Sequence, residues 1–526
     1  MTEFEAKIKI PFLWGKAVFK KSHWSRINLI VGPNGSGKTL LAQGLAKQFE
    51  EKGYSVRFIK SDRENRQEQM EVLKSNARIR GKIETVLSNM FGKSITFIED
   101  INGNPIPIVE NKAWNVEYML EDAECHGLKE IILLLINLYQ KKSSKSLGEC
   151  IFFDEPELHL HPQFQSFFMN EIRKEISASS RKMFFLISHS PFFIDLRSPE
   201  DLTGVIVCHI NKVPTSIEKL SYDDDGLFRR FLPRFNTYHK QFFFSDNQIF
   251  VEGYTDQQMF TYLLPFVDDG YTTAGTGIID VGGKDELGVF CKVCSLLGTN
   301  GRIITDLDSL FSGKLRDVFG EDDRVCSWLE KQKEKQANFY DSIFTQKEKD
   351  QKISLGKLIY KLERKVIDTG NAIKEMNLQE IKKKAERQAE KKDIQILEIF
   401  LQKLQALEEK HENAQTVDTY KTVMLQGIIM LQDFLEKNLP PKPASEIPVI
   451  KNLYALVLAA AEAARVYILP KGCIEHYYTQ TKILFMPVSA KDRLFRSELD
   501  FIQGAHKKTV LKKYEDLIEI LSKAAK

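Results

Sequence analysis

Apolar residues along this chain fall into two kinds of pattern. "INLIVG", "VRFIKS", "ECIFFDE" and "MFFLIS" are short, mostly apolar runs. Runs of that kind make strands buried on both faces. Helical spacing fills the intervals between them, which predicts a parallel α/β sheet over residues 1–235. "SITFIEDINGNPIPIV" reads as an antiparallel hairpin around Asn102-Gly103. The α/β rhythm returns over 245–310, with strands at "NQIFVEG", "GIIDVGG" and "RIITDLD" and helices at "DQQMFTYLLPFV" and "KDELGVFCKVCSLL".

From 325 to 440 the character changes. Lys, Glu and Gln dominate at helical spacing, and Ile394, Ile396, Leu397, Ile399, Phe400, Leu401, Leu404 and Leu407 form an apolar stripe. Asn377 is the expected N-cap, with Glu380 three residues on. Pro440, Pro441 and Pro443 are expected to end this helical bundle. "RVYILP" then returns to strand, so the helices read as an insertion into the second α/β domain, which resumes over 465–526.

Composition narrows the setting. A chain of 526 residues has room for roughly two to four domains. A net charge of +3 does not by itself announce a nucleic-acid binder. Lys507, Lys508, Lys512 and Lys513 form a local basic cluster, read equally well as a solvated helix face. The seven cysteines are scattered, as suits a reducing compartment. The one close pair, Cys291 and Cys294, lacks the further ligands a zinc site needs and is expected to pack within a helix. The N-terminus carries no signal-peptide pattern. "IILLLINLY" and "ALVLAAAEAA" fall short of the about 20 apolar residues a membrane span requires. The expectation is a soluble cytoplasmic protein with no membrane partner.

"GPNGSGKT", Gly32 to Thr39, lies between a strand and a helix and matches the phosphate-binding loop. Gly32, Asn34, Gly35, Ser36 and Gly37 would turn backbone N–H groups toward ATP phosphates, at a helix N-terminus. Lys38 would reach the β- and γ-phosphates, and the Thr39 hydroxyl would hold Mg²⁺. In "CIFFDEPELHLHP", Asp154 would orient Mg²⁺ through water and Glu155 would polarise the attacking water. His189, ending "FFLISH", is a candidate γ-phosphate sensor. His159 and His161 do not make a metal site and are expected in an interface loop.

"GPNGSGKT", "DEPELHLHP" and "ISHSPFF", in this order, resemble the ABC-type ATPase heads of the overcoming-lysogenisation-defect (OLD) family. The resemblance implies that two heads sandwich ATP, so that the chain forms a homo-oligomer, with a signature helix reaching the partner's γ-phosphate. "HGLKEIILLLINLY" stands at the place of that helix. His126-Gly127 replaces the family's usual Ser-Gly, which removes a hydroxyl donor to phosphate.

"IFVEGYTDQQMF" resembles the first motif of a Toprim domain, with Glu252 at a strand end and Asp256 in the next helix. "RIITDLDS" resembles the second, with Asp306 and Asp308 on one side of an extended segment. Clustered carboxylates at strand ends need cations. Two Mg²⁺ or Mn²⁺ ions about 4 Å apart would neutralise them and hold the attacking and leaving oxygens of a phosphodiester. "VYILPKGCIEHYY" resembles the next Toprim strand of OLD nucleases and implies Glu475 as a further metal ligand. A lysine near the C-terminus of these nucleases stabilises transition-state charge. Lys491 in "VSAKDRLF" is the candidate, with Lys482 as its competitor. Gly282-Gly283-Lys284 resembles the glycine-lysine turn after the second Toprim strand, expected near the DNA backbone.

The resemblance covers residues 1–310 and 465–500 and leaves the helical insertion unexplained. It implies a P-loop ATPase head followed by a Toprim domain with a helical insertion. The expected activity is metal-dependent DNA cleavage gated by ATP, in antiphage defence of the retron-associated, Gabija-like or PARIS-like kind. Two rivals stand beside it. One is a repair-type ATPase that clamps DNA without cutting. The other is a scaffold whose insertion recruits a partner protein, such as a reverse transcriptase with its RNA–DNA.

Overall fold

The computed structural model describes residues 2–61, 66–119, 127–140, 146–179, 181–210, 212–237, 239–245, 247–267, 276–311, 322–349, 353–384 and 388–526. The chain forms two units: Met1–Asp246 with Leu296–Thr299, and Asn247–Ser295 with Asn300–Lys526.

In the first unit, β1 (Thr2–Ile8) pairs antiparallel with β2 (Phe19–Trp24). The main sheet begins with β3 (Ile27–Val31) and β4 (Ser55–Ile59). The hairpin expected at Asn102-Gly103 is β5 (Ser94–Glu99) with β6 (Pro105–Asn111), and a third strand, β7 (Val116–Met119), adds to it. The strands β8 (Glu149–Asp154), β9 (Lys182–Ile187), β10 (Val205–Val207) and β11 (Thr215–Ser216) complete the main sheet, in the order β11-β10-β3-β9-β8-β4. All its pairings are parallel except β10 with β11.

Every residue of β8 and β9 is buried. Alternation explains why both faces need cover. Phe152 and Phe185 stack at 4.2 Å on the face that meets Phe49 of the helix Lys38–Glu51. Phe153 points the other way, edge-on to Phe168 of the helix Pro162–Ala178. His161 accepts from the Gln163 N–H at that helix's start, ahead of Pro162. It is thus an N-cap.

The second unit is built on β12 (Asn247–Val251), β13 (Thr276–Asp280), β14 (Asn300–Thr305) and β15 (Val466–Ile468), all parallel, in the order β13-β12-β14-β15. The chain leaves β12 for one side, then crosses to the other for β14. The carboxyl ends of β12 and β14 therefore flank a topological switch point, where open α/β sheets hold ligands. The helix Lys284–Leu296 follows β13 and carries Cys291 and Cys294, the latter buried.

Between β14 and β15 the described residues are helical from Asp323 to Ala463. Asn377 accepts from the Glu380 N–H at 3.3 Å, as an N-cap should. Ile394, Leu397, Phe400, Leu404 and Leu407 are buried at helical spacing on Gln388–Lys410. The prolines do not end the helical run. Pro440 caps and Pro441 begins a further helix, Pro441–Ala463, because the first turn of a helix tolerates a missing N–H. This helix is long and apolar enough to cross a membrane, yet Ile447, Ile450, Leu453 and Val457 are buried inside the unit, as in a core helix. Among the described residues it is the one helix that passes that test.

One helix of this region, Asp418–Met430, packs against the turn Leu307–Leu310 that follows β14. Its Gln426 donates to the Lys471 carbonyl at 2.7 Å and accepts from the Met486 N–H at 3.1 Å. Close packing also holds this helix. A Cβ at Gly427 would lie 2.4 Å from the Phe400 ring, and one at Gly370 would lie 2.6 Å from Met424 Sδ.

Gly427→Ala is therefore expected to destabilise the second unit by about 1–3 kcal/mol through overpacking. Chemical denaturation followed by circular dichroism would measure it.

Candidate functional site

Two groups of polar residues lie at the carboxyl ends of the two parallel sheets. The first begins where β3 runs into Gly32. Gly32, Gly35 and Gly37 hold φ values of +142°, +77° and +82°, which only glycine adopts freely. A Cβ at Gly32 would sit 2.3 Å from the Cys208 carbonyl oxygen, so the loop also needs the space. The helix Lys38–Glu51 starts at Gly37 and aims its N-terminus at the loop. Lys38 is buried, and its ammonium donates to the Gly32 and Pro33 carbonyls at 3.0 and 2.8 Å. Burial pulls its pKa down, against the pull of Glu155, Glu157 and Asp154. Ser36 donates to the Pro33 carbonyl, closing the turn.

Thr39 donates to Asp154 Oδ1 at 3.1 Å, joining the loop to the end of β8. Glu155 follows at φ +48°, held there by its N–H on the Ile187 carbonyl. Its Oε1 lies 3.7 Å from His189 Nε2, beyond β9. Burial and then the Lys38 charge lower the His189 pKa, with Glu155 opposing, so the imidazole is neutral near pH 7. Glu157, which the motif reading passed over, accepts from the His189 N–H at 2.6 Å, and burial raises its pKa. Pro33, Asn34, Glu155, Glu157, His189 and Phe244 line a cavity of about 500 Å³. The structure thus gathers Gly32 to Thr39, Asp154, Glu155 and His189 around one opening. Gly127 begins the helix Gly127–Tyr139, and His126 lies outside the described residues.

The second group sits at the switch point of the second unit. Glu252, Asp306 and Asp308 each bring a carboxylate oxygen within 4.8 Å of the others. Glu252 follows β12, and three donors fix it: the Thr305 hydroxyl, the Asp306 N–H at 2.9 Å and the Ser309 hydroxyl at 2.9 Å. Asp256, in the first turn of Tyr254–Leu263, accepts from the Gly253 N–H at 3.1 Å. Burial, then the charges of Glu252 and Glu475, push Asp256 up to about 8, with Lys491 opposing. Asp306 is buried and lies well above its ordinary value, from burial and then from Glu252, Asp256 and Asp308.

Glu475 is fully buried on the turn after β15. Its Oε1 meets Lys491 Nζ at 3.1 Å, and its Oε2 has no hydrogen-bond partner. Lys491 begins the helix Lys491–Gly504. Burial lowers its pKa, but Glu475, Cys473 and Asp306 together outweigh that and raise it. Lys482 is exposed on the loop before it. Asp308 Oδ1 is likewise buried without a partner, while Oδ2 accepts from Lys284 at 3.1 Å. Gly282 and Gly283, at φ +78° and +135°, turn the chain so that Lys284 faces Asp308. Acceptor oxygens buried without donors, beside the raised carboxyls of Asp256 and Asp306, fit a divalent cation.

Comparison with known families now adds to the geometry. Residues 243–308 match the model of the overcoming lysogenization defect protein-like TOPRIM domain, and residues 59–194 match that of the AAA ATPase domain. The chain joins an AAA ATPase domain to an OLD-like Toprim domain. The ATPase match takes in Asp154, Glu155 and His189 and begins beyond the phosphate loop. The Toprim match ends on Asp308, so Glu475, Lys491 and the helices after β14 stand outside it. No curated protein matches the chain. Among solved structures it is similar to Stu0660 of Streptococcus thermophilus, at 13% identity over 45% of this chain and 86% of that one. The TM-score of 0.28 is too low to bear on fold or function. An ATPase domain and a Toprim domain imply use of a nucleotide and a divalent metal, and together they support an ATP-linked nuclease.

Lys507, Lys508, Lys512 and Lys513 of the basic cluster are exposed on a short helix whose Val510 is buried.

Two outcomes follow. Lys38→Ala removes the buried cation of the loop and is expected to weaken ATP binding about 10- to 100-fold, measured by calorimetry. The Toprim carboxyls predict a pH dependence. An acid with a folded pKa above its unfolded value binds more protons when folded. Its protonation therefore stabilises the fold at low pH, and that stability is lost as pH rises from about 4, the unfolded value of aspartate, toward the raised value of about 8 at Asp256. Metal-free protein should melt progressively lower across this window, by roughly 2–4 °C per kcal/mol lost. Saturating Mn²⁺ or Asp256→Asn should flatten the trend in thermal melts.

Proposed function

We propose that the chain is a metal-dependent DNA endonuclease, gated by ATP in a dimerising ATPase head and acting in antiphage defence. One observation carries the nuclease part: Glu252, Asp306 and Asp308 converge within 4.8 Å while Asp308 Oδ1 and Glu475 Oε2 stay buried without donors. A clamp that only held DNA would meet phosphates with lysines, not with buried acids.

Glu252, Asp306 and Asp308 would hold the cation, Mg²⁺ or Mn²⁺, with Asp256 and Glu475 beside them. When bound, such an ion supplies Lewis-acid polarisation of the phosphodiester and a water of lowered pKa. The chain's own part is placement. Thr305, Ser309 and the Asp306 N–H all donate to Glu252 Oε1 and so hold its carboxylate in place. Lys491, held by Glu475, brings positive charge to where a pentavalent phosphate gains negative charge. The rise in its pKa keeps it protonated through that step.

In the ATPase domain, Lys38 would exchange the Gly32 and Pro33 carbonyls for the β- and γ-phosphates of ATP, while Thr39 and Asp154 hold Mg²⁺. Glu155 would orient the attacking water, with His189 as its neutral neighbour near the γ-phosphate. Nucleotide binding would favour one arrangement of paired heads and so change the fraction of molecules competent to cut.

The test is cleavage of supercoiled and linear DNA with Mg²⁺ or Mn²⁺, with and without ATP. Wild type is expected to cut and Glu252→Ala to lose at least about 100-fold in rate, as when a major electrostatic contribution is removed. Lys38→Ala should abolish any difference between the ATP and ATP-free reactions. Equal cutting by wild type and Glu252→Ala would refute the assignment of the nuclease site. A nucleotide response that survives Lys38→Ala would refute the gating.

A further inference from the structure

Lys284 has two acidic partners. Its ammonium lies 3.1 Å from Asp308 Oδ2 and 3.5 Å from Asp418 Oδ2. The three side chains are only partly exposed, at 30%, 14% and 31%. Each comes from a different part of the second unit. Asp308 follows β14, and Lys284 is fixed by the glycine turn after β13. Asp418 opens the helix Asp418–Met430, over a hundred residues further along the chain.

That helix is well placed to carry a signal residue. Tyr420, Val423, Met424, Leu425 and Ile428 are buried along it, so Asp418 has a firm base. The neighbouring Lys421 pairs with Glu363 at 2.7 Å and is occupied within the helical region. Two turns on, Gln426 holds the Lys471 carbonyl at the turn leading to Glu475. The Leu307 N–H in turn donates to the Gly472 carbonyl, tying that turn to the Asp306–Asp308 loop. The same helix therefore meets two of the loops that present carboxylates to the Toprim site, those after β14 and β15.

A divalent cation on the unpartnered Asp308 Oδ1 would stand close to the ammonium held on Oδ2, and like charges at that range repel. An ammonium displaced from Asp308 needs another carboxylate within reach of its flexible stem. We infer that Asp418 is a positioning residue that receives Lys284 when a divalent cation takes Asp308, so that the helical insertion sets the cation affinity of the Toprim site. This rests on the metal reading of that site, and it gives the insertion a direct part in the chemistry. In the absence of cation Lys284 screens Asp308. With cation bound, it leans to Asp418.

The experiment measures Mn²⁺ binding to the full chain without nucleotide, by electron paramagnetic resonance of the free ion. Binding lost in Asp306→Asn defines the site. Asp418→Asn is expected to weaken that binding about fivefold, the upper range for a partly exposed ion pair. Lys284→Met removes the competitor and should leave binding as tight as wild type or tighter. In the Lys284→Met background Asp418→Asn should change affinity less than about twofold, because nothing is left to receive. Equal loss in both backgrounds would mean that Asp418 acts through its own charge or through folding, and would overturn the inference, as would weaker binding by Lys284→Met alone. A wild type with no Mn²⁺ site sensitive to Asp306→Asn would overturn the metal reading and this inference together.

Discussion

Like charges brought together out of water are the constraint on which the second unit is organised. Glu252, Asp306 and Asp308 converge at the ends of two adjacent strands, with Asp256 and Glu475 close enough to shift titration. In a low dielectric such a group repels itself strongly. The surroundings answer at Glu252, Asp256, Asp308 and Glu475. Three donors hold Glu252, a backbone N–H holds Asp256, Lys284 meets Asp308 and Lys491 meets Glu475. What remains unmet is an oxygen of Asp308 and one of Glu475. Removing any one donor would raise the repulsion borne by the others, so these contacts act as a set.

Parallel sheets explain why both candidate sites are where they are. Each parallel strand delivers its last residue to the same edge, and the loops there are free to carry polar groups. In the ATPase domain this edge collects Gly32 after β3, Asp154 at the end of β8 and His189 after β9. In the Toprim domain it collects Glu252, Asp306 and, after β15, Glu475. The strands are largely apolar along their length and the chemistry sits at their carboxyl ends, which lets stability and reactivity be set mostly by different residues.

Much of this was legible along the chain, for physical reasons. Buried parallel strands are mostly apolar runs, so β3, β4, β8, β9 and β12 stand out, as does the phosphate loop between a strand and a helix. The strand β7 does not, because three of its four residues are exposed and no apolar alternation marks it. The prolines at 440–443 predict a stop because proline breaks a helix from within, yet at the first turn it is compatible with a start. The fixing of Glu252 by Thr305 and Ser309 could have been suspected from the hydroxyls flanking Asp306 and Asp308. The pairing of Lys284 with Asp418 could not. It joins residues whose spacing obeys no local period and depends wholly on how the helices fold back on the sheet.

Gln426 has a consequence for how this architecture could have changed over time. Its amide nitrogen and its carbonyl oxygen are both engaged, one on the turn before Glu475 and the other on Met486. Glutamate has the same shape but offers no donor, and no shorter side chain reaches as far. Helices inserted between two strands are often exchanged in evolution as self-contained cassettes. These helices cannot be swapped so freely, because a replacement without an amide at this place would leave the Lys471 carbonyl and the Met486 N–H without their partners. The insertion and the sheet that hosts it would have diverged as one inherited piece.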